Sequence, residues 1–200
     1  MDERREVKRY PRRSMRLREY DYAQAGTYFV TVCTYQRACI FGEVAHDMVR
    51  VNSWGEVVAI TWNGLADKFG SVILDAFVIM PNHVHGIIVI NNANASRGEA
   101  EDNESRLSVR TRSSSASPYT VLHMAQYQGG LGALIQAFKS KSTRRINAMR
   151  HTPGRPVWQR NYYERVIRHE RELNAIRKYT AENPLRWALD IENPLREIKQ

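Results

Sequence analysis

The chain has 200 residues, 42% hydrophobic and 10% aromatic, which is enough to build one packed domain and too much for global disorder. Thirty Lys and Arg against 21 Asp and Glu give a net charge of +9, favouring a polyanionic partner, nucleic acid before an anionic membrane surface. No apolar run nears the roughly 20 residues of a membrane span, and the charged N-terminus excludes a signal peptide, so a soluble intracellular protein is expected. Cys33 and Cys39 make neither a disulfide framework nor a Cys-x-x-Cys pair.

The first 18 residues hold eight Lys or Arg against three Asp or Glu and no apolar periodicity. They read as a basic arm over 1–24 in which Arg12, Arg13, Arg16 and Arg18 are placed to meet phosphates, a solvated tail being the competing reading. The β-branched and aromatic run 27–34 predicts a core strand, with a short excursion at 41–44. Helical spacing of Trp54, Val57, Val58, Ile60, Thr61, Trp62 and Leu65 predicts a helix over about 53–68, capped by Ser53 and ended by Gly70. Two strands, 72–80 and 84–90, flank a turn or bulge at Pro81-Asn82.

Residues 91–128 turn polar and read as a surface insertion. After Gly129-Gly130, the residues Leu131, Leu134, Ile135, Phe138, Ile146 and Met149 mark the buried face of a second helix. Lys139, Lys141, Arg144 and Arg145 on that helix could meet a phosphate backbone or simply form its wet side. A strand is predicted over 156–167, where Gln159 and Arg160 could hold DNA. A last helix runs over about 170–182 and stops at Asn183-Pro184. The order β, α, β, β, α, β, α predicts an α+β domain: a ferredoxin-like split β-α-β core with an antiparallel sheet, helices on one face, and the C-terminal helix bearing the candidate nucleophile. This domain would span 25–190, with a C-terminal tail over 191–200.

Strand alternation points His83 and His85 to one face inside the apolar run Phe77–Ile90, a ready pair of nitrogen ligands for a divalent metal. Two half-exposed histidines at a strand end are the competing reading. Tyr179 and Asn183 lie four residues apart and share a helical face. If that face packs over the strand end, two imidazoles, an amide oxygen and a phenol converge. A metal there would polarise a scissile phosphate, and Tyr179 would attack phosphorus once a nearby cation, the metal or Lys178, favoured its phenolate. Such a mixed imidazole and amide-oxygen site accepts Mg²⁺ or Mn²⁺. Tyr162 and Tyr163 rank below Tyr179, having no ligand at helical spacing, and His46, His123, His151 and His169 read as surface residues.

Met80-Pro81-Asn82-His83-Val84-His85-Gly86, the block Trp158 to Tyr163, and Tyr179-Thr180-Ala181-Glu182-Asn183-Pro184 together resemble the REP-associated tyrosine transposases, in the single-tyrosine branch of the HUH nuclease superfamily. The resemblance runs over about 27–189. It implies a metal-dependent single-stranded DNA endonuclease and strand transferase that acts on hairpins through a covalent 5′-phosphotyrosine. It also implies Tyr179 as nucleophile, with His83, His85 and Asn183 as ligands. The expected partner is hairpin or single-stranded DNA, the setting the bacterial cytoplasm and nucleoid, and the working form a monomer or homodimer. The insertion is longer than the compact family pattern, so the DNA-facing surface beside the metal is expected to differ. Two readings of other classes stay open: a hairpin DNA- or RNA-binding regulator on the same fold, and a hydrolase using metal-activated water.

Overall fold

The run GTYFVTVC forms β1 (Gly26–Cys33), the strand on which the rest of the sheet is assembled. The computed structural model describes residues 21–22, 24–91, 130–194 and 196, so the four arginines of the arm and nearly all of the insertion lie outside the described residues. Antiparallel β5 (His83–Ile90) pairs with β1, Cys33 facing His83 at one end and Gly26 facing Ile90 at the other. Antiparallel β4 (Val72–Met80) extends the sheet beyond β5, and β6 (Tyr163–Ile167) pairs antiparallel with the other side of β1, giving the order β4-β5-β1-β6.

Alternation sorts the side chains. Tyr28, Val30, Val32, Val84 and Ile88 enter the main core, where α1 (Ser53–Lys68) supplies Val58, Trp62 and Leu65 and α2 (Gly130–Met149) supplies Leu131, Leu134, Ile135, Phe138 and Ile146. Phe29, Ile87 and Ile167 point the opposite way and meet Leu173 and Ile176 of α3 (Glu170–Glu182). The split β-α-β arrangement is therefore present with α1 and α2 on one face, and the C-terminal helix covers the other. Each fully buried large apolar side chain contributes about 1.5–3 kcal/mol, so both faces are firmly held.

Gly86 faces Trp62, which stacks on Phe77 with ring centroids 4.5 Å apart. A Cβ at Gly86 would run into the Trp62 ring. Gly86→Ala is expected to cost about 1–3 kcal/mol through overpacking, measured as a lower denaturant midpoint at unchanged m-value.

A bulge in β4 places both Asp75 and Ala76 across from Ile87, because Leu74 faces Ile88 and Phe77 faces Gly86. It turns Asp75 toward α3, where Arg177 donates to both carboxylate oxygens at 2.9 and 2.6 Å. At the start of α3, His169 Nδ1 accepts from the Glu172 N–H and Glu172 in turn accepts from the Arg168 N–H, a reciprocal cap. Helix α3 is thus fixed at its first turn and along its length.

Several local expectations need correction. The excursion at 41–44 is one strand of a hairpin, β2 (Gly42–Ala45) and β3 (Met48–Val51), closed by His46 and Asp47 at φ 51° and 60°. Both residues sit in the left-handed region that such two-residue turns require, without the usual Gly. Asn52, not Ser53, caps α1, its Oδ1 accepting from the N–H groups of Trp54 and Gly55, and Phe69 rather than Gly70 closes it. Met149 and Ile60 are exposed. The strand expected over 156–167 shrinks to β6, because the carbonyls of Gln159, Arg160 and Asn161 accept from Lys139 Nζ instead of a neighbouring strand. Trp158 anchors that loop, Nε1 donating to Ser142 Oγ at 2.9 Å. Packing also continues past residue 190: Asn193 is buried and donates to the Trp187 carbonyl.

Candidate active site

The turn between β4 and β5 sets the orientation of both histidines. Asn82, fully buried, donates through Nδ2 to the carbonyls of Arg37 at 3.0 Å and Glu192 at 2.6 Å. Its Oδ1 therefore faces His83 Nδ1, 2.9 Å away, and a carbonyl oxygen can only accept, so Nδ1 carries the hydrogen and Nε2 keeps its lone pair. His83 Nε2 faces His85 Nε2 at 3.1 Å. His85 Nδ1 lies 2.8 Å from Thr31 Oγ1, a hydroxyl that can serve either tautomer of that ring.

Both rings are buried, and burial drives both pKa values down to about 3; Asn183 opposes the fall at His83, while the neighbouring His83 adds to it at His85. Both imidazoles are neutral at physiological pH and available as ligands. Asn183 is buried directly after α3, and its Oδ1 has no hydrogen-bond partner. Tyr179, one turn earlier, brings Oη to 3.4 Å from His85 Nε2, and its ring stands edge-on to Phe29 and His85. Burial and the Asp190 charge hold its phenol above the ordinary value.

Asp190 adds a carboxylate to the site. It follows the 3-10 turn Pro184–Leu189, and its carboxylate stands 3.8 Å from His83 Nε2; the ligand atoms of His83, His85 and Asp190 all lie within 4.8 Å of one another. Its partner in holding this segment is Glu192, which pairs with Arg37 at 2.9 Å and lends its carbonyl to Asn82. Only the folded turn reveals these residues, since nothing in their spacing marks them.

The His83 Nε2 lone pair, the facing His85 Nε2 of a ring whose tautomer Thr31 leaves free to change, an orphaned buried amide oxygen and a nearby carboxylate together fit a divalent cation that takes mixed nitrogen and oxygen donors. Asn82→Ala, which frees the His83 ring, is expected to weaken Mn²⁺ affinity about 10–100-fold by titration calorimetry, with His83 and His85 both still present.

The other candidates are dispersed. Lys139, its pKa pushed down to about 8 by burial, is spent on the 159–161 carbonyls and lies over the Tyr162 ring. With Arg144, Gln159 and Arg160 it lines a groove of about 540 Å³, reached from the α2 side of the sheet. Lys141 and Arg144 share a second groove with Lys68, and Arg145 is exposed on the same helix. Tyr163, not Tyr162, joins Tyr179 in one cleft of about 420 Å³, with His85, Thr31 and Asp190. His46 and His151 are exposed, and His169 is exposed while capping α3. Trp54 and Trp187 are only partly buried. No helix among the described residues is long and apolar enough to cross a membrane.

This architecture is the fold of the REP-associated tyrosine transposases: a solved member bound to a REP hairpin superposes with a TM-score of 0.52 at 15% identity, over 87% of this chain and 74% of that one. A candidate transposase from Deinococcus radiodurans superposes with a TM-score of 0.41 at 16% identity, over 86% of this chain and 98% of that one. No family model matches the chain. By sequence the chain belongs to the family of an uncharacterised Haemophilus influenzae protein, 34% identical over 179 residues that span 90% of this chain and 91% of that one.

Proposed function

We propose that the protein is a metal-dependent, transposase-like nuclease that cuts and rejoins single-stranded or hairpin DNA through Tyr179. The observation that carries this reading is the Tyr179 hydroxyl 3.4 Å from His85 Nε2, itself 3.1 Å from His83 Nε2, beside an unpartnered Asn183 Oδ1. A phenol is a poor general acid or base at neutral pH but a workable nucleophile toward phosphorus, and this one is aimed at the proposed phosphate site.

His83, His85 and Asn183 would hold Mg²⁺ or Mn²⁺, with Asp190 as a further oxygen donor, and the cation supplies charge stabilisation for the phosphate. The residues of the chain do the rest. Asn82 and Thr31 hold the two rings in register, and Phe29 supports the Tyr179 ring from the side. The Tyr179 oxygen bonds to phosphorus and its proton passes to solvent, to which the residue is 39% exposed. The bond from phosphorus to the 3′-oxygen breaks, and that oxygen takes up a proton, leaving a 3′-hydroxyl and a 5′-phosphotyrosine. Attack by a 3′-hydroxyl reverses the step and rejoins the strand.

The test is incubation of purified protein with end-labelled hairpin DNA and Mg²⁺ or Mn²⁺, then denaturing electrophoresis. A denaturation-resistant adduct, abolished by chelator and mapped to the peptide containing Tyr179, is expected. Cleaved products free of protein would point instead to water as nucleophile, and binding without cleavage to a regulator.

A further inference from the structure

We infer that the single strand leading to Tyr179 is held in the groove between the outer edge of β6 and the first half of α3, a binding track distinct from the basic surface of α2. The inference rests on the proposed function and adds where its substrate lies. The groove measures about 700 Å³ and is lined by Tyr22, Tyr163, Arg165, Arg168 and Arg171, among others. It shares Tyr163 and Arg165 with the cleft that contains Tyr179 and His85, so the two form one continuous path to the nucleophile.

Its chemistry matches single-stranded nucleic acid, which needs cations along a backbone and flat rings for bases. Arg168 and Arg171 are exposed, and neither guanidinium has a carboxylate partner among the described residues. Arg165 is paired with Glu172 at 2.6 Å, which neutralises that acid where the strand would pass. Glu164 also borders the groove, but it is buried and alternates to the opposite face of β6 from Tyr163 and Arg165. Tyr163 supplies a ring on the path, while Tyr22, packed against the core beside Tyr28, borders its far end. Because β6 ends the sheet order, no further strand among the described residues occupies this edge. The grooves beside α2 carry three cations each and no acid, and so are the more basic, but they open on the face occupied by Trp62 and Phe138, with the sheet between them and Tyr179. A phosphate on α2 is therefore not on the route to the nucleophile.

Fluorescence anisotropy with three labelled probes tests this: a blunt hairpin, the same hairpin with an oligothymidine flank of about ten nucleotides on either side, and the free oligothymidine. The flank is expected to tighten binding to the wild-type protein. In Arg168→Ala/Arg171→Ala, whose sites are exposed and leave the fold intact, that gain should shrink about tenfold. The salt slope for the flanked probe should fall by about 0.7 for each arginine removed. Blunt-hairpin affinity should stay unchanged. A flank gain and slope that survive in the variant overturn the track, even where Tyr179 still forms its adduct. A flank that adds nothing to wild-type binding overturns it as well. An arginine-dependent flank gain, or arginine-dependent binding of oligothymidine, without any adduct upholds the track and removes the proposed reaction.

Discussion

Tyr179→Phe is expected to abolish covalent capture of DNA, by at least about 10⁴-fold, while hairpin affinity and Mn²⁺ affinity stay near wild type. The substitution removes one oxygen from a ring that is 39% exposed and packed edge-on against Phe29, so a fold change of no more than about 0.5 kcal/mol accompanies it. The lost hydroxyl is not a metal ligand in the proposed set, and its 3.4 Å contact with His85 is too long to hold that ring, which Thr31 secures from the other nitrogen. Adduct formation, affinity and stability therefore separate cleanly. Residual covalent attachment in the variant would refute the assignment and direct attention to Tyr163, the other phenol in the cleft.

A mixture of Tyr179→Phe with His83→Ala is expected to stay as inactive as either variant alone. The chain builds the site from its own residues: α3 is tied to the sheet by Arg177 on Asp75, by the Arg165 pair with Glu172, and by Leu173 and Ile176 against Phe29 and Ile87. No element has to cross between protomers for Tyr179 to reach His85. Exchange of α3 between two copies would instead place an intact tyrosine over intact histidines in one site of a mixed dimer. Restored adduct in the mixture would therefore show that the helix is swapped in solution. His83→Ala alone should also lose Mn²⁺ affinity by more than about 100-fold, which gives the second variant an independent signature.

The sequence carried the parts of this site that obey a period. His83 and His85 two apart on a strand, and Tyr179 and Asn183 four apart across the end of a helix, are local relations, and the structure places all four within one cluster. That α3 lies over the histidines does not follow from its period, because the fit of the helix on the sheet involves a bulge at Asp75 and Ala76 that leaves no trace in hydropathy. Asp190 and Glu192 were illegible for a related reason: they act from a non-repeating turn, and their meaning comes from the side chains and carbonyls they meet. Lys139 shows the opposite failure. Its position on a basic helix suggested phosphate, yet three carbonyls from the 159–161 loop take its hydrogens. The missing half of the predicted strand and the occupied lysine are one event seen from two sides.

The sheet has a polarity with practical weight. Gly26 pairs with Ile90 at the end opposite His83, roughly 23 Å away at about 3.3 Å per strand residue. From that end the chain departs at Asn91, and there it re-enters, where the Leu131 N–H meets the Tyr22 carbonyl. Both the N-terminal arm and the long insertion are thus rooted on the side of the domain away from the ligand atoms. A fluorophore attached there would sit far from the ligand atoms yet beside Tyr22, at the far mouth of the inferred track, where it would report on the strand's passage rather than on the chemistry.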